Sequence, residues 1–339
     1  MDRILRSLKS AFIRFVGKLG LTHVMRFHSA FFVYVLRGYR VYRRLIAVYG
    51  SDTVILQCAH KGTGDYYLCG LYLQQWLEQN GVSNYVFMTP GGSQERVTEL
   101  FPVYKGHTVN CTDREMEDIR NFRGFIGPKR QRYLHLDHQY VYPLSPGHDI
   151  ATFNLMGFRG LTMLDFYLAV GFHLPEDTPR SMPVFSNDIE HIKVLFHENG
   201  LSEGKTVLLS PYSASNAEYL PDDAFWKQIA KDLADKGYTV CTNCGPGEKP
   251  VAGTVPLLIR YSELVPFLEL AGGLIAVRSG LCDIASTARC RKVVLHSYKN
   301  RFWPDGNSIA YTGLENMGLC RDAVEIEIND VLDKLQKID

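Results

Sequence analysis

Residues 274–284 read Leu-Ile-Ala-Val-Arg-Ser-Gly-Leu-Cys-Asp-Ile. The apolar run predicts a buried strand over Leu274–Val277, and the small residues Ser279 and Gly280 predict a turn. A helix is expected over Leu281–Arg289. Strand, tight turn and helix in direct succession form the unit from which doubly wound parallel sheets are built. The free amides of Ser279, Gly280 and Leu281 at such a helix start attract an anion. Arg278 adds a forked donor suited to phosphate oxygens. The plainer alternative is a strand-to-helix turn with Asp283 in the favourable first turn of the helix.

The same alternation extends outward. Upstream, strands are expected at Thr206–Ser210, Tyr238–Thr242 and Pro256–Arg260, with helices at Asp222–Lys236 and Ser262–Ala271. Downstream come a strand at Lys292–His296, an irregular stretch Thr312–Leu319, strand-like Val324–Ile328 and a closing helix Val331–Ile338. A first alternating set precedes these. It has strands Thr53–Ala59, Tyr85–Thr89, His107–Cys111 and Arg132–Asp137, with helices Tyr66–Gln79 and Ser93–Leu100. The fold class is α/β, with two doubly wound Rossmann-like domains facing a cleft and an amphipathic helical arm. The expected divisions are an arm at 1–49, a first Rossmann-like domain at 50–183, a second at 184–322 and a closing strand and helix at 323–339. Ligands of such sheets sit outside the carboxyl ends of the strands.

The chain has 339 residues, 46% of them apolar and 22% charged, and a net charge of +1. That excludes a disordered chain and a strongly basic nucleic-acid binder. The charge is uneven: residues 1–49 carry +9 and the remainder −8. In the first of these segments Ile4, Leu5, Leu8, Phe12, Phe15, Val16 and Leu19 share one helical face, with Arg3, Arg6, Lys9, Arg14 and Lys18 outside it. A second apolar run, Phe31 to Leu36, precedes Arg37, Arg40, Arg43 and Arg44. Neither run reaches the roughly 18–20 apolar residues of a bilayer crossing, and no signal-peptide pattern follows. A helix lying on an anionic membrane surface fits, and so does a helix packed on the protein's own body or on a sister subunit. The eight cysteines lack framework spacing, so reduced thiols are expected. Cys241-x-x-Cys244 has no second pair to complete a metal site.

Several motifs fail on spacing or context. Gly200–Thr206 is one residue short of a phosphate loop and precedes a strand rather than following one. Gly62-Thr-Gly64 lacks the third glycine of a dinucleotide fingerprint, because position 67 is Tyr. Asn110-Cys-Thr112 is a glycosylation sequon by pattern only.

The loop His60-Lys61-Gly62-Thr63-Gly64-Asp65 follows the first strand. Its glycines let the backbone turn and approach a ligand. Asp65 reads either as a helix cap or as a general base. His60 and Asp137 are alternative bases. His135 and His138, at a strand exit, are candidates for the acceptor side. Ser213 and Asn216 follow the first strand of the second domain and can bond phosphate or sugar hydroxyls. Asn243 and Gly245 follow a strand's carboxyl end and are candidates for contact with a nucleobase. Glu263 either caps a helix start or accepts from ribose hydroxyls.

On these residues the chain resembles a GT-B glycosyltransferase, above all the heptosyltransferase-like branch of bacterial surface-polysaccharide enzymes. Lys61-Gly-Thr-Gly-Asp65 is similar to that branch's first-strand loop. Leu208–Ser213 and Leu220–Trp226 resemble the opening of its donor domain. Tyr261–Leu264 with Leu274–Asp283 resembles the elements that hold the nucleotide diphosphate. The branch's turn carries Asp, Ser or Thr, Gly and a later His, whereas this chain has Arg278, Ser279 and Gly280, with Asp283 in the histidine's place. That form resembles polysaccharide transferases thought to include galactofuranosyltransferases. The resemblance implies sugar transfer from a nucleotide diphosphate sugar to a lipid-linked or polysaccharide acceptor, with Asp65 as base and inversion. It implies donor contacts from Lys61, Gly64, Ser213, Asn216, Asn243, Glu263, Arg278–Leu281 and Asp283, and neither metal nor other cofactor. A peripheral location on the inner face of the cell membrane and a homo-oligomer are consistent with it. A nucleotide-sugar 2-epimerase and a non-catalytic scaffold are the alternatives.

Overall fold

The computed structural model describes residues 22–58, 62–122, 133–136, 162–213, 220–296 and 308–328. It is a mixed α/β protein. Its strands are β1 (Val54–Cys58), β2 (Tyr85–Thr89), β3 (Thr108–Asn110), β4 (Tyr133–Leu136), β5 (Thr206–Ser210), β6 (Thr239–Asn243), β7 (Val255–Leu257), β8 (Gly272–Val277), β9 (Arg291–His296) and β10 (Ala323–Glu327). The helices are α1 (Thr22–Tyr49), α2 (Thr63–Gln79), α3 (Gly92–Thr98), α4 (Asp113–Phe122), α5 (Met163–Phe166), α6 (Ile189–Glu198), α7 (Asp223–Asp235), α8 (Tyr261–Ala271), α9 (Gly280–Ala285) and α10 (Ser308–Thr312). The expected closing helix Val331–Ile338 lies outside the described residues.

The chain divides into two compact units. The first takes Met1–Gln57, Val82–Pro90 and Val109–His135; the second takes Cys58–Gly81, Gly91–Thr108 and Leu136–Asp339.

The first unit is built on the sheet β3-β2-β1-β4, in which β1 and β2 run parallel. Val41 and Leu45 of α1 share a core with Ile55, Val86, Met88, Met116 and Ile119. The carboxyl-terminal part of α1 is therefore packed on the protein's own body. An ion pair between Arg44 and Glu115 on α4 ties the same helix down. Upstream on α1, Leu36, Tyr39, Arg40 and Arg43 are exposed. Helix α4 does not appear in the strand-and-helix alternation read from the sequence. Its start is a reciprocal cap: Glu115 N donates to Thr112 Oγ1 (3.2 Å) while Thr112 N donates to the Glu115 carboxylate (2.9 Å). The threonine of the sequon thus serves as a helix cap.

The second unit carries the sheet β10-β9-β8-β5-β6-β7, and every adjacent pair in it is parallel. Renumbered within this sheet, the order is 3-2-1-4-5-6. That is the doubly wound order in which the chain winds outward from β5 to β7 and then returns to the other side of β5 as β8. Strands β5 and β8 are nearly continuous apolar runs, as burial on both faces requires. Helix α7 begins where Asp222 Oδ1 accepts from Phe225 N (2.9 Å), and it buries Trp226 and Ala230. Gly200, at φ 62°, follows α6 and ends that helix as a turn, as its place in the sequence suggests.

Candidate functional site

The reversal of strand order places a switch point between β5 and β8. In open sheets of this order the ligand crevice lies outside the carboxyl ends at that point. Two segments leave the sheet there. Pro211–Ser213 follows β5, and Arg278–Leu281 follows β8 and opens α9. Ser213 is buried. Ser279 is the N-cap of α9 with an extended backbone, and it makes no side-chain cap bond. The first amides of α9 lack intrahelical acceptors by helix geometry.

The amino end of α2 packs directly on this turn. A methyl group added at Gly280 would stand 2.2 Å from Gly64 N and 2.7 Å from Thr63 Cβ. One added at Gly64 would stand 3.2 Å from Gly280 Cα and 2.2 Å from Asp283 Oδ2. These two glycines let one helix start approach the other; neither has a positive φ. Gly280→Ala is expected to destabilise the protein by about 1–3 kcal/mol, because the nearest obstructing atom, Gly64 N, is backbone that cannot step aside. Urea unfolding checks this, and an unchanged midpoint would show that the helices separate freely.

Asp65 sits in the first turn of α2, which starts three residues before the expected Tyr66. Its N-cap is Gly62, so Asp65 is not the cap residue. The Tyr167 hydroxyl donates to Asp65 Oδ1 at 2.5 Å. Tyr167 is fully buried, and burial holds its phenol well above its ordinary value, so the proton stays on the tyrosine. Behind this pair, Cys58 and Cys69 lie Sγ to Sγ at 3.7 Å, both as buried free thiols. Asp65 is half-buried, with its second oxygen over Gly62. One carboxylate oxygen is thereby fixed by a phenol.

Arg278 is held internally. Its Nε donates to Thr312 O (2.8 Å), Nη1 to Ser279 O (2.7 Å) and Asp283 Oδ2 (3.2 Å), and Nη2 to Asp283 Oδ1 (2.6 Å). The side chains of Arg278 and Asp283 are 9% and 1% exposed. Together they form a buried fork-to-fork pair that shapes the turn. Leu281 is buried beside them.

Other candidates are engaged elsewhere. Asn243 Oδ1 accepts from Ile259 N (3.3 Å), linking the end of β6 to the segment after β7. Gly245 N donates to Glu248 Oε2 (2.6 Å). Glu263, in the first turn of α8, lies 3.6 Å from His191 Nε2 on α6. His60, Lys61, Asp137, His138 and Asn216 lie outside the described residues, and His135 is described only through its backbone in β4. Among the described residues, no group of three His, Cys, Asp or Glu side chains is placed to hold a metal ion. Cys241 is buried in β6, where its thiol meets Val207 O (3.6 Å) and burial pushes it up to about 12. Tyr167, Thr312 and the internal use of Arg278 are absent from the sequence reading. The one local signal near Tyr167 is the capping box at Thr162-Met-Leu-Asp165, which starts α5.

The fold is similar to that of solved glycosyltransferases. The glycosyl transferase family 9 structure from Veillonella parvula superimposes with a TM-score of 0.51 at 12% identity, covering 84% of this chain and 88% of that one. The Escherichia coli ADP-heptose lipopolysaccharide heptosyltransferase II gives 0.50 at 14% identity, covering 80% and 89%. At these identities the likeness is one of fold. No protein-family model matches the sequence, and no curated protein matches it.

Proposed function

We propose that this protein is a glycosyltransferase that moves a sugar from a nucleotide diphosphate sugar to a lipid-linked or polysaccharide acceptor of a bacterial surface glycan. The observation that carries this reading is the backbone contact between Gly64 and Gly280. It sets the tyrosine-held carboxylate of Asp65 beside the anion-attracting turn at the switch point of the sheet. The fold shared with glycosyltransferase structures supports it, and the E. coli neighbour's name makes a nucleotide diphosphate sugar the natural donor class.

In this mechanism Asp65 takes the proton of the acceptor hydroxyl as that oxygen bonds to the anomeric carbon. The bond from the anomeric carbon to the diphosphate oxygen breaks, and the nucleotide diphosphate leaves with the electron pair. The first amides of α9 meet its growing charge. Arg278 keeps those amides aimed through its pair with Asp283. In this mechanism Ser213 bonds phosphate or sugar hydroxyls. A single displacement inverts the anomeric centre, and the chemistry calls on no metal. The amino-terminal segment holds the protein on an anionic membrane surface, at the inner face of the cell membrane. The +9 charge of residues 1–49 and the exposed Leu36, Tyr39, Arg40 and Arg43 support that placement. Among the described residues no helix is long and apolar enough to cross a membrane.

The direct test is thermal unfolding of the full chain with a panel of nucleoside diphosphates. One member at 100 times its dissociation constant is expected to stabilise the fold by roughly 2.7 kcal/mol. No shift with any member would overturn the donor class.

A further inference from the structure

A second concave site lies at the opposite end of the same sheet. It is formed where β8, β9 and β10 begin, whereas the turn described above leaves β8 at its carboxyl end. This open depression measures about 790 Å³ and runs from Gly272 and Ser286–Arg291 to Gly318–Asp322. That volume falls in the range of small-molecule sites.

Its chemistry is cationic. Arg289 and Arg291, at the entry to β9, and Arg321, just before β10, line it, and all three are exposed. None of their guanidinium groups makes an ion pair or hydrogen bond to a described residue. Beneath them Lys292 is 2% exposed. Its ammonium is fixed by Ala288 O (2.5 Å), Cys290 O (3.1 Å) and, at 3.4 Å, Asp322. Backbone carbonyls that would repel an anion are occupied in this way. At the far wall, Gly318 O and Met317 O likewise accept from Arg180 (2.8 and 3.1 Å). One carboxylate, Asp322, lines it and a second, Glu269, is bonded to the backbone of Arg289, and both already accept internal donors. Asp322 takes the Cys320 thiol (2.8 Å) along with Lys292, and Glu269 takes Arg289 N (3.1 Å).

A set of planar forks with no partner among the described residues, around a concavity and above a buried ammonium, matches the oxygens of phosphate. Isolated surface arginines kept for solubility would neither converge on one hollow nor need its carbonyls occupied. We propose that this basin binds a phosphate-bearing ligand at a site separate from the switch-point turn. The phosphate comes either from a soluble phosphorylated molecule or from an anionic lipid headgroup.

The test compares the full chain with the R289Q/R291Q/R321Q variant, whose substituted side chains are exposed and leave the core unchanged. Inorganic pyrophosphate is titrated at low salt, with hydrogen exchange followed over 286–292 and 318–322. Co-sedimentation with vesicles containing 30 mol% phosphatidylglycerol forms the second arm. The full chain is expected to gain protection in both peptides with pyrophosphate. The variant should bind at the basin at least tenfold more weakly and lose that protection. Loss of pyrophosphate binding alone assigns a soluble ligand, and an added fall in vesicle binding assigns the headgroup. Equal affinity, protection and sedimentation in the two proteins would overturn the proposal. Binding at the switch-point turn, which protects 278–283, is read separately in the same experiment.

Discussion

Replacing Asp65 with asparagine is expected to lower sugar transfer by about 10²–10⁴-fold, the span of a positioned general base, while nucleotide diphosphate affinity stays near its original value. The substitution keeps the shape of the side chain and its ability to accept from Tyr167, and removes only the basic oxygen. Single-turnover transfer and donor titration on the same preparation check it. Tyr167→Phe serves as the companion. It removes the 2.5 Å bond that fixes Oδ1 and should lower turnover less than Asp65→Asn. Near-normal transfer by Asp65→Asn would move the base to another residue, with His60→Ala and Asp137→Asn the next variants to measure. A product that keeps the donor's anomeric configuration would make Asp65 an orienting group instead.

Arg278→Ala is expected to destabilise the protein by about 3–5 kcal/mol, the cost of leaving one member of a buried pair uncompensated. Asp283 would then remain 1% exposed with no cation beside it, and Thr312 O and Ser279 O would each lose a donor. A loss of this size is a large fraction of the stability of a typical fold. Denaturant unfolding checks it. The double variant Arg278→Met with Asp283→Leu should recover most of the loss, because apolar replacement of both partners avoids the stranded charge. The sequence alone offers Arg278 as a direct hand on phosphate, whose removal would cost a single charge-assisted contact of roughly 1.5–3 kcal/mol in binding. The fork to Asp283 makes stability the primary readout and donor affinity a consequence of turn shape. If Arg278→Ala unfolds like the parent protein yet binds nucleotide more weakly, the guanidinium faces the ligand after all.

Much of the secondary structure is legible because its causes are local. Tyr85–Thr89 and Thr206–Ser210 form strands at the bounds their apolar, β-rich runs mark. Asp222 caps α7 with its own carboxylate. Thr112-x-x-Glu115 is an equally local cap for α4, readable in principle and hidden by the sequon that overlaps it. The turn at 278–281 is also local, since small residues between an apolar run and a helix leave the backbone few other paths.

What lies beyond reach of the sequence is which distant groups meet. Neighbouring residues set strand and helix identity, but the order 3-2-1-4-5-6 depends on how all the helices cover both sheet faces at once. Tyr167 reaches Asp65 from 102 residues away, and Arg278 finds Thr312 O 34 residues on. Nothing in the spacing of these residues encodes either bond. Gly64 and Gly280 show the division most plainly. Gly64 is read from sequence as freedom for the backbone to approach a ligand and Gly280 as part of a tight turn, and the tertiary structure uses both so that two helix starts can touch. The sequence alone determined an α/β chain of repeated strand-turn-helix units, with a carboxylate and a small-residue turn at two of their junctions. Only packing could decide that those junctions adjoin and that the turn's arginine faces inward, because both follow from burying apolar faces and pairing buried charge across long stretches of chain.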